Sequence, residues 1–297
     1  MKILVSGGNG NLAGTVIRNL MELLLDRDQL VVGSRNPDSH HCRDLARAGI
    51  EVRRLDYLDR DGLGRALKGI QKALFISTYE PNDVRIRQHR NAVDAAVEAG
   101  VEHVVYTSFI NAVPGSAFEH NSQVHAPTEA MIRDSGLGYT FLRHNLYTEF
   151  TVVDLKQTLA TGRLLRGGGD SGISFIGRDD LGVSAARVLA EDGHSNKVYT
   201  ETGPEALTWA QVAGIMSEVF GRPIEHADAT PEQWYEHSRG MGFPEPLARA
   251  SASNVRAVRN GEFSPVSPDY AKLTGRAPRN VRQYLQDNRE KYLRLSG

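Results

Sequence analysis

Cysteine is almost absent: Cys42 is the single one among 297 residues, so the chain closes no internal disulfide. In its polar helical setting the thiol reads as inert and at or near the surface. Charge of one sign is lacking too. A formal net charge of −1 leaves no basic field, which argues against nucleic acid or an anionic membrane as partner. No apolar run approaches the roughly twenty residues of a membrane span. The amino terminus enters a strand directly, without a signal-peptide pattern, so the cytoplasm is the expected location. No internal repeat or low-complexity linker interrupts the chain.

Some local patterns are excluded by what they lack. The adjacent His40 and His41 have neither helical i, i+4 spacing nor a carboxylate or cysteine set around them, and read as exposed surface rather than metal ligands. The glycine run 167–169 is not followed by the Lys-Ser/Thr of a P-loop, and reads as a flexible loop near a pocket. Arginines within 276–294 alternate with Asp287, Glu290 and apolar positions, the pattern of a solvated helix face.

What is present starts at the first residues. ILVSGGNGNLAG (3–14) joins a short apolar strand to a glycine-rich turn and then to a helix, whose Leu12, Val16, Leu20 and Leu24 lie four apart. Gly7, Gly10 and Ala13 are spaced Gly-x-x-Gly-x-x-Ala. The first gives the tight turn, the second lets backbone approach a pyrophosphate, and the third lets helix pack on strand. Phosphates bind there because unpaired N–H groups and the helix dipole favour an anion, so Gly7, Asn9, Gly10, Asn11 and Leu12 are candidate cofactor-binding residues.

Strand and helix then alternate. Strands are expected at 29–35, 50–56, 72–78, 103–108, 139–143 and 197–201, and helices at 39–48, 63–69, 84–99, 127–135 and 179–191. The fold class is α/β, a Rossmann-type doubly wound parallel sheet with a smaller, mostly helical carboxyl-terminal lobe. The dinucleotide domain is expected over 1–148, with 173–202 returning to it; 149–172 and 203–297 form the substrate lobe. Thr208 with Gln211 makes a capping box, Thr230 precedes Pro231 at a second helix start, and a final helix spans 281–292.

The coenzyme is chosen by the end of the second strand. Gly33-Ser34-Arg35-Asn36-Pro37 holds no carboxylate to bind ribose hydroxyls, while the planar guanidinium of Arg35 can clasp a 2′-phosphate, which favours NADP(H). Asp56 is placed to accept from the adenine amino group, with Tyr57 beside it. Ile76, Ser77, Thr78, Thr107 and Ser108 end the fourth and fifth strands, the edge where such sheets bind ligands.

Together, SGGNGNLAG, SRNP, LDY (55–57), HVVYTS, VHAPTE (124–129) and YTFLRHNLYTEF (139–150) resemble the NmrA-like, atypical short-chain dehydrogenase/reductase family, most closely its quinone-reducing and triphenylmethane-dye-reducing members. The likeness covers nearly the whole chain. It implies an NADPH-dependent reductase that passes a hydride to a quinone-like, dye-like or other conjugated electrophile, a small-molecule acceptor, with a homodimer as one assembly. It also leaves open a tailoring reductase of a specialised intermediate, or an NADP(H)-sensing regulator without turnover.

The Tyr-x-x-x-Lys of ordinary short-chain dehydrogenases is missing, and His125 and Glu129 stand in the corresponding region. His125 is the best candidate for a catalytic residue. Pro127 between them is expected to leave His125 ahead of the helix. Where the relatives carry Arg-Asn and a small residue beside the nicotinamide, this chain has Arg143-His144-Asn145. Arg143 is therefore assigned to the cofactor, and Phe109, Asn145, Tyr147 and Trp234 join His125 and Glu129 around the acceptor.

Overall fold

The computed structural model describes residues 1–296. Its strands are β1 (Ile3–Val5), β2 (Leu30–Ser34), β3 (Glu51–Arg54), β4 (Lys72–Phe75), β5 (His103–Phe109), β6 (Gly138–His144), β7 (Arg163–Arg166), β8 (Lys197–Glu201) and β9 (Glu225–Asp228). Seven of them form one parallel sheet in the order β3-β2-β1-β4-β5-β6-β8. The order reverses between β1 and β4, so the crevice at their carboxyl ends is the natural ligand position.

Helices on the two faces are α1 (Asn11–Leu23), α2 (His40–Arg47), α3 (Arg60–Leu67), α4 (Asn82–Glu98), α5 (Glu119–Asp134) and α7 (Arg178–Ala190), whereas α6 (Leu155–Thr161) packs against β7. Alternate residues of each central strand feed opposite cores. Ile3 and Val5 pack with Val16, Ile17, Leu181 and Leu189 of α1 and α7, while Leu4 packs with Leu63, Leu67 and Ala96 of α3 and α4.

A third apolar cluster gathers Phe175, Trp209, Met216, Phe220, Val258, Phe263 and Leu285. It is built on α8 (Trp209–Phe220), α10 (Glu245–Arg259), α12 (Val281–Asp287) and α13 (Arg289–Ser296), beside the parallel pair β7-β9, while α9 (Pro231–Gly240) packs on α10, and α11 (Asp269–Thr274) joins α7 and β8. The capping boxes at Thr208 and Thr230 are formed. The expected final helix is two: it breaks at Asn288, whose side chain turns back to donate to the Tyr284 carbonyl.

Three local expectations are corrected. Cys42 is fully buried, its thiol beside Asn9 Oδ1 at 3.4 Å. The run at 167–169 is a packed crossing rather than a flexible loop. A Cβ on Gly167 would sit 2.4 Å from Val255, and Asp228 accepts from the N–H groups of both Gly168 and Gly169. Pro127 does not start α5, which already runs from Glu119. The carbonyl it leaves without a donor belongs to Gln123, an exposed residue, where solvent can take the place of the lost N–H.

Candidate active site

The phosphate turn is built from backbone. Gly7 takes φ +70°, and Gly8, which the spacing argument passes over, presses so closely on β2 that a Cβ would lie 2.4 Å from Val32. Gly10 caps α1 without any side-chain bond, and no acidic residue stands in the first turn. The amino terminus of α1 therefore presents open N–H groups with no competing anion, which fits a pyrophosphate. Asn9 acts by holding the turn: it donates to Ser34 Oγ at 2.8 Å and to the Asn36 carbonyl at 3.1 Å, and accepts from Ser39 Oγ at 2.6 Å.

Arg35 extends from the end of β2 with its side chain 69% exposed, and its nearest ionic partner is Glu80 at 3.7 Å. A guanidinium held this loosely is available to a 2′-phosphate. Asp56 accepts from the Leu58 N–H at 3.0 Å. Tyr57 corrects the expectation, because it is buried and its hydroxyl donates to Ser6 Oγ at 2.7 Å, under the sheet edge. Ser6 in turn accepts from the Ile76 N–H, so Tyr57 positions the strand end instead of flanking adenine.

The hydroxyls read as facing the ligand are mostly engaged within the protein. Thr107 Oγ1 accepts from the Ser77 N–H at 2.9 Å, Thr78 donates to Gln88, and Ser108 donates to Glu129 Oε1 at 2.6 Å. Glu129 is only 1% exposed, and Arg143 binds it with Nε at 2.9 Å and Nη2 at 2.6 Å, while Arg133 adds a bond at 3.1 Å. Its hydrogen bonds, with its charge, raise the pKa of Arg143. Arg143 and Glu129 thus form a latch between β6 and α5 that saturates the Glu129 carboxylate and engages Nε and Nη2 of Arg143.

His125 is 4% exposed and lies inside α5. Arg85 Nη2 donates to its Nε2 at 3.1 Å, which puts the ring proton on Nδ1, facing the Tyr106 hydroxyl at 2.8 Å. Burial and the Arg85 charge hold its pKa well below the usual range. A buried, neutral imidazole with both nitrogens bonded within the protein is poorly placed to act as the acid that the sequence suggested.

Sequence reasoning missed Arg85 itself. It is 3% exposed, and among the described residues no carboxylate is bonded to it. Its partners are Ser77 Oγ at 3.0 Å, His125, and His120 and Asn121 on α5. His89 completes the network between Ser77 and Thr128, and burial lowers its pKa to about 3. No motif announces this set, since α4 and α5 bring its members together only in the fold.

Above the network opens a cleft of about 1220 Å³ between the turn 79–82 with the start of α5 on one side and helices α9 and α10 on the other. Tyr79 and His120, packed edge to face, form part of its wall, and Tyr235, Leu247 and Ala250 stand across from them. Trp234 is not in that wall; it lies over Arg166, at 5.5 Å, and beside His237. Asn145 is buried and ties β6 to the later helices through Ser174 and the Phe263 carbonyl. His144 Nε2 lies 3.3 Å from Glu201 Oε2, and Nδ1 3.3 Å from the Tyr147 hydroxyl, whose pKa burial pushes up to about 12. Phe109 stacks on His125 and meets Phe118 and Phe263 edge on.

Among the described residues no helix is long and apolar enough to cross a membrane. Comparison with known proteins adds four findings. The chain is 35% identical over 277 residues to Quinone oxidoreductase 2 of Escherichia coli (strain K12), covering 92% of this chain and 93% of that protein. It is 29% identical over 284 residues to NAD(P)H azoreductase of Xenophilus azovorans, covering 96% of both. The solved structure of Citrobacter sp. triphenylmethane reductase complexed with NADP(H) superposes with a TM-score of 0.87 at 34% identity, over 96% of this chain and 99% of that one. The NmrA-like family model matches residues 1–285, and the chain belongs to that family.

Proposed function

We propose that this NADP(H)-dependent oxidoreductase reduces conjugated, electron-poor acceptors, quinones and dyes among them, in the cleft between the start of α5 and α9–α10. Bound NADPH supplies the hydride. The open amino terminus of α1 and the Gly7–Gly10 backbone hold the pyrophosphate, and Arg35 takes the 2′-phosphate. Tyr79, Tyr235, Leu247 and the prolines of the cleft offer a planar acceptor apolar contact, among polar and charged residues such as Glu119, Gln123 and Arg256.

One observation carries the reading: the ionisable side chains at the positions of the missing Tyr-x-x-x-Lys are engaged within the protein. His125 is neutral and doubly bonded, and Glu129 is locked by two arginines. A simple ketone needs protonation as hydride arrives, whereas a conjugated acceptor spreads the incoming charge and takes its proton from water afterwards. The quinone, azo and triphenylmethane compounds in the relatives' names are acceptors of that second kind.

The test follows NADPH absorbance with the purified protein. Oxidation is expected with a quinone, an azo dye or a triphenylmethane dye, and none with an unactivated ketone. Tight NADPH binding with no acceptor reduced would instead support a coenzyme sensor.

A further inference from the structure

Arg85 poses a physical problem that the hydride-transfer reading leaves open. A buried charge is ordinarily paired, because an isolated ion in a low-dielectric interior costs several kcal/mol. Glu129, on the same layer of helices, obeys that rule. Arg85 is surrounded instead by neutral groups: Ser77, Asn121, Tyr79, Tyr106 and three histidines, His89, His120 and His125.

The direction of its bonds gives those histidines defined tautomers. A guanidinium only donates, so the His120 Nε2 that faces Arg85 Nη1 at 3.4 Å is an acceptor, and the ring proton is on Nδ1. A second bond from Nη1 to the His120 carbonyl, at 3.3 Å, fixes the residue at the first turn of α5. His120 lines the cleft, and its Nδ1 has no protein partner among the described residues. Burial and the Arg85 charge keep the ring neutral, with a pKa of about 4.

Resting on the hydride-transfer reading, we propose that His120 is the electrophile of the cleft: its Nδ1–H donates to the conjugated oxygen of a carbonyl-bearing acceptor such as a quinone or enone, and Arg85 is the positioning residue that fixes this tautomer. As hydride adds to acceptor carbon, the π pair moves onto the oxygen. The bond from His120 strengthens with that charge, no N–H bond breaks, and the proton completing the reduction comes from water. A neutral imidazole suits this task, since it polarises an oxygen without binding it as an ion pair.

The experiment uses 4-(dimethylamino)cinnamaldehyde, whose absorption band moves to longer wavelength when its carbonyl oxygen accepts a strong hydrogen bond. With the NADP⁺-loaded protein the band is expected to shift red on binding. His120→Phe abolishes the shift and lowers kcat for a quinone by roughly ten- to a hundred-fold, with a smaller change in KM. Arg85→Met weakens the shift and Arg85→Lys restores part of it, while unchanged NADPH affinity and circular dichroism show that the variants fold. His120→Gln, which keeps an N–H donor, retains part of both signals.

A red shift and a kcat in His120→Phe equal to the wild type would overturn the assignment, as would no shift in the wild type. The two readings fail separately. Quinone-dependent NADPH oxidation unaffected by His120→Phe removes only the electrophile. A red-shifted probe in a protein that oxidises no NADPH removes only hydride transfer.

Discussion

Glu129 and Arg85 are both buried charges at the carboxyl edge of the sheet, and their surroundings are opposite. Glu129 accepts from Arg143, Arg133 and Ser108, so its charge is neutralised and its oxygens are saturated. Arg85 is bonded only by neutral acceptors, and its Nε has none. The first arrangement stabilises a scaffold. The second holds charge in reserve beside the cleft, which stability alone does not explain.

The largest effect that can break this comparison is on folding. Glu129→Gln leaves Arg143 and Arg133 without their counter-charge, and is expected to cost about 3–5 kcal/mol, read as a drop in thermal midpoint of about ten degrees. Arg85→Met removes a charge that nothing compensates, so its expected cost is only about 1–2 kcal/mol. Equal losses in the two variants would show that Arg85 is structural in the same sense as Glu129.

Acid sharpens the same contrast. His89 has a folded pKa of about 3 against its usual 6.5, so the native state binds fewer protons than the unfolded chain below pH 6.5. Its contribution is complete above pH 6.5 and is lost as pH falls towards 3, at about 1.4 kcal/mol per pH unit. His125 and His120 shift in the same direction. Urea unfolding at pH 7.5 and 5.5 is expected to show lower stability at 5.5, and unchanged stability would mean that the Arg85 network is open to protons.

Smaller effects separate the coenzyme end from the acceptor end. Arg35→Ala is expected to weaken NADPH binding about tenfold with NADH unchanged, measured by fluorescence titration. In the cleft, Tyr235→Ala should raise acceptor KM by about threefold to tenfold, while Trp234→Phe, packed on Arg166, should leave it unchanged.

The coenzyme end was legible in the sequence because its chemistry is local. Gly7, Gly10 and Ala13 act through backbone geometry within one turn, and Arg35 stands at a strand end that the alternation of elements locates. The acceptor end was not. Arg85, His89, His120 and Tyr106 come from α4, α5 and β5, and their contacts depend on packing that no spacing rule encodes. Pro127 also misled: a proline reads as a helix start, yet at an exposed residue solvent can serve the carbonyl it orphans. Burial also engages His125, Arg143 and Tyr57 with Tyr106, Glu129 and Ser6, which lie 14 to 51 residues away in the chain.

The cradle at the amino terminus of α1 is tested most directly by calorimetric titration of NADPH into the wild type and Gly10→Glu, which sets a carboxylate at the helix cap. One coenzyme bound per chain in the wild type, and at least about a hundredfold weaker binding in a variant that still folds, is the expected result. A Gly10→Glu protein that binds NADPH as tightly as the wild type would contradict it.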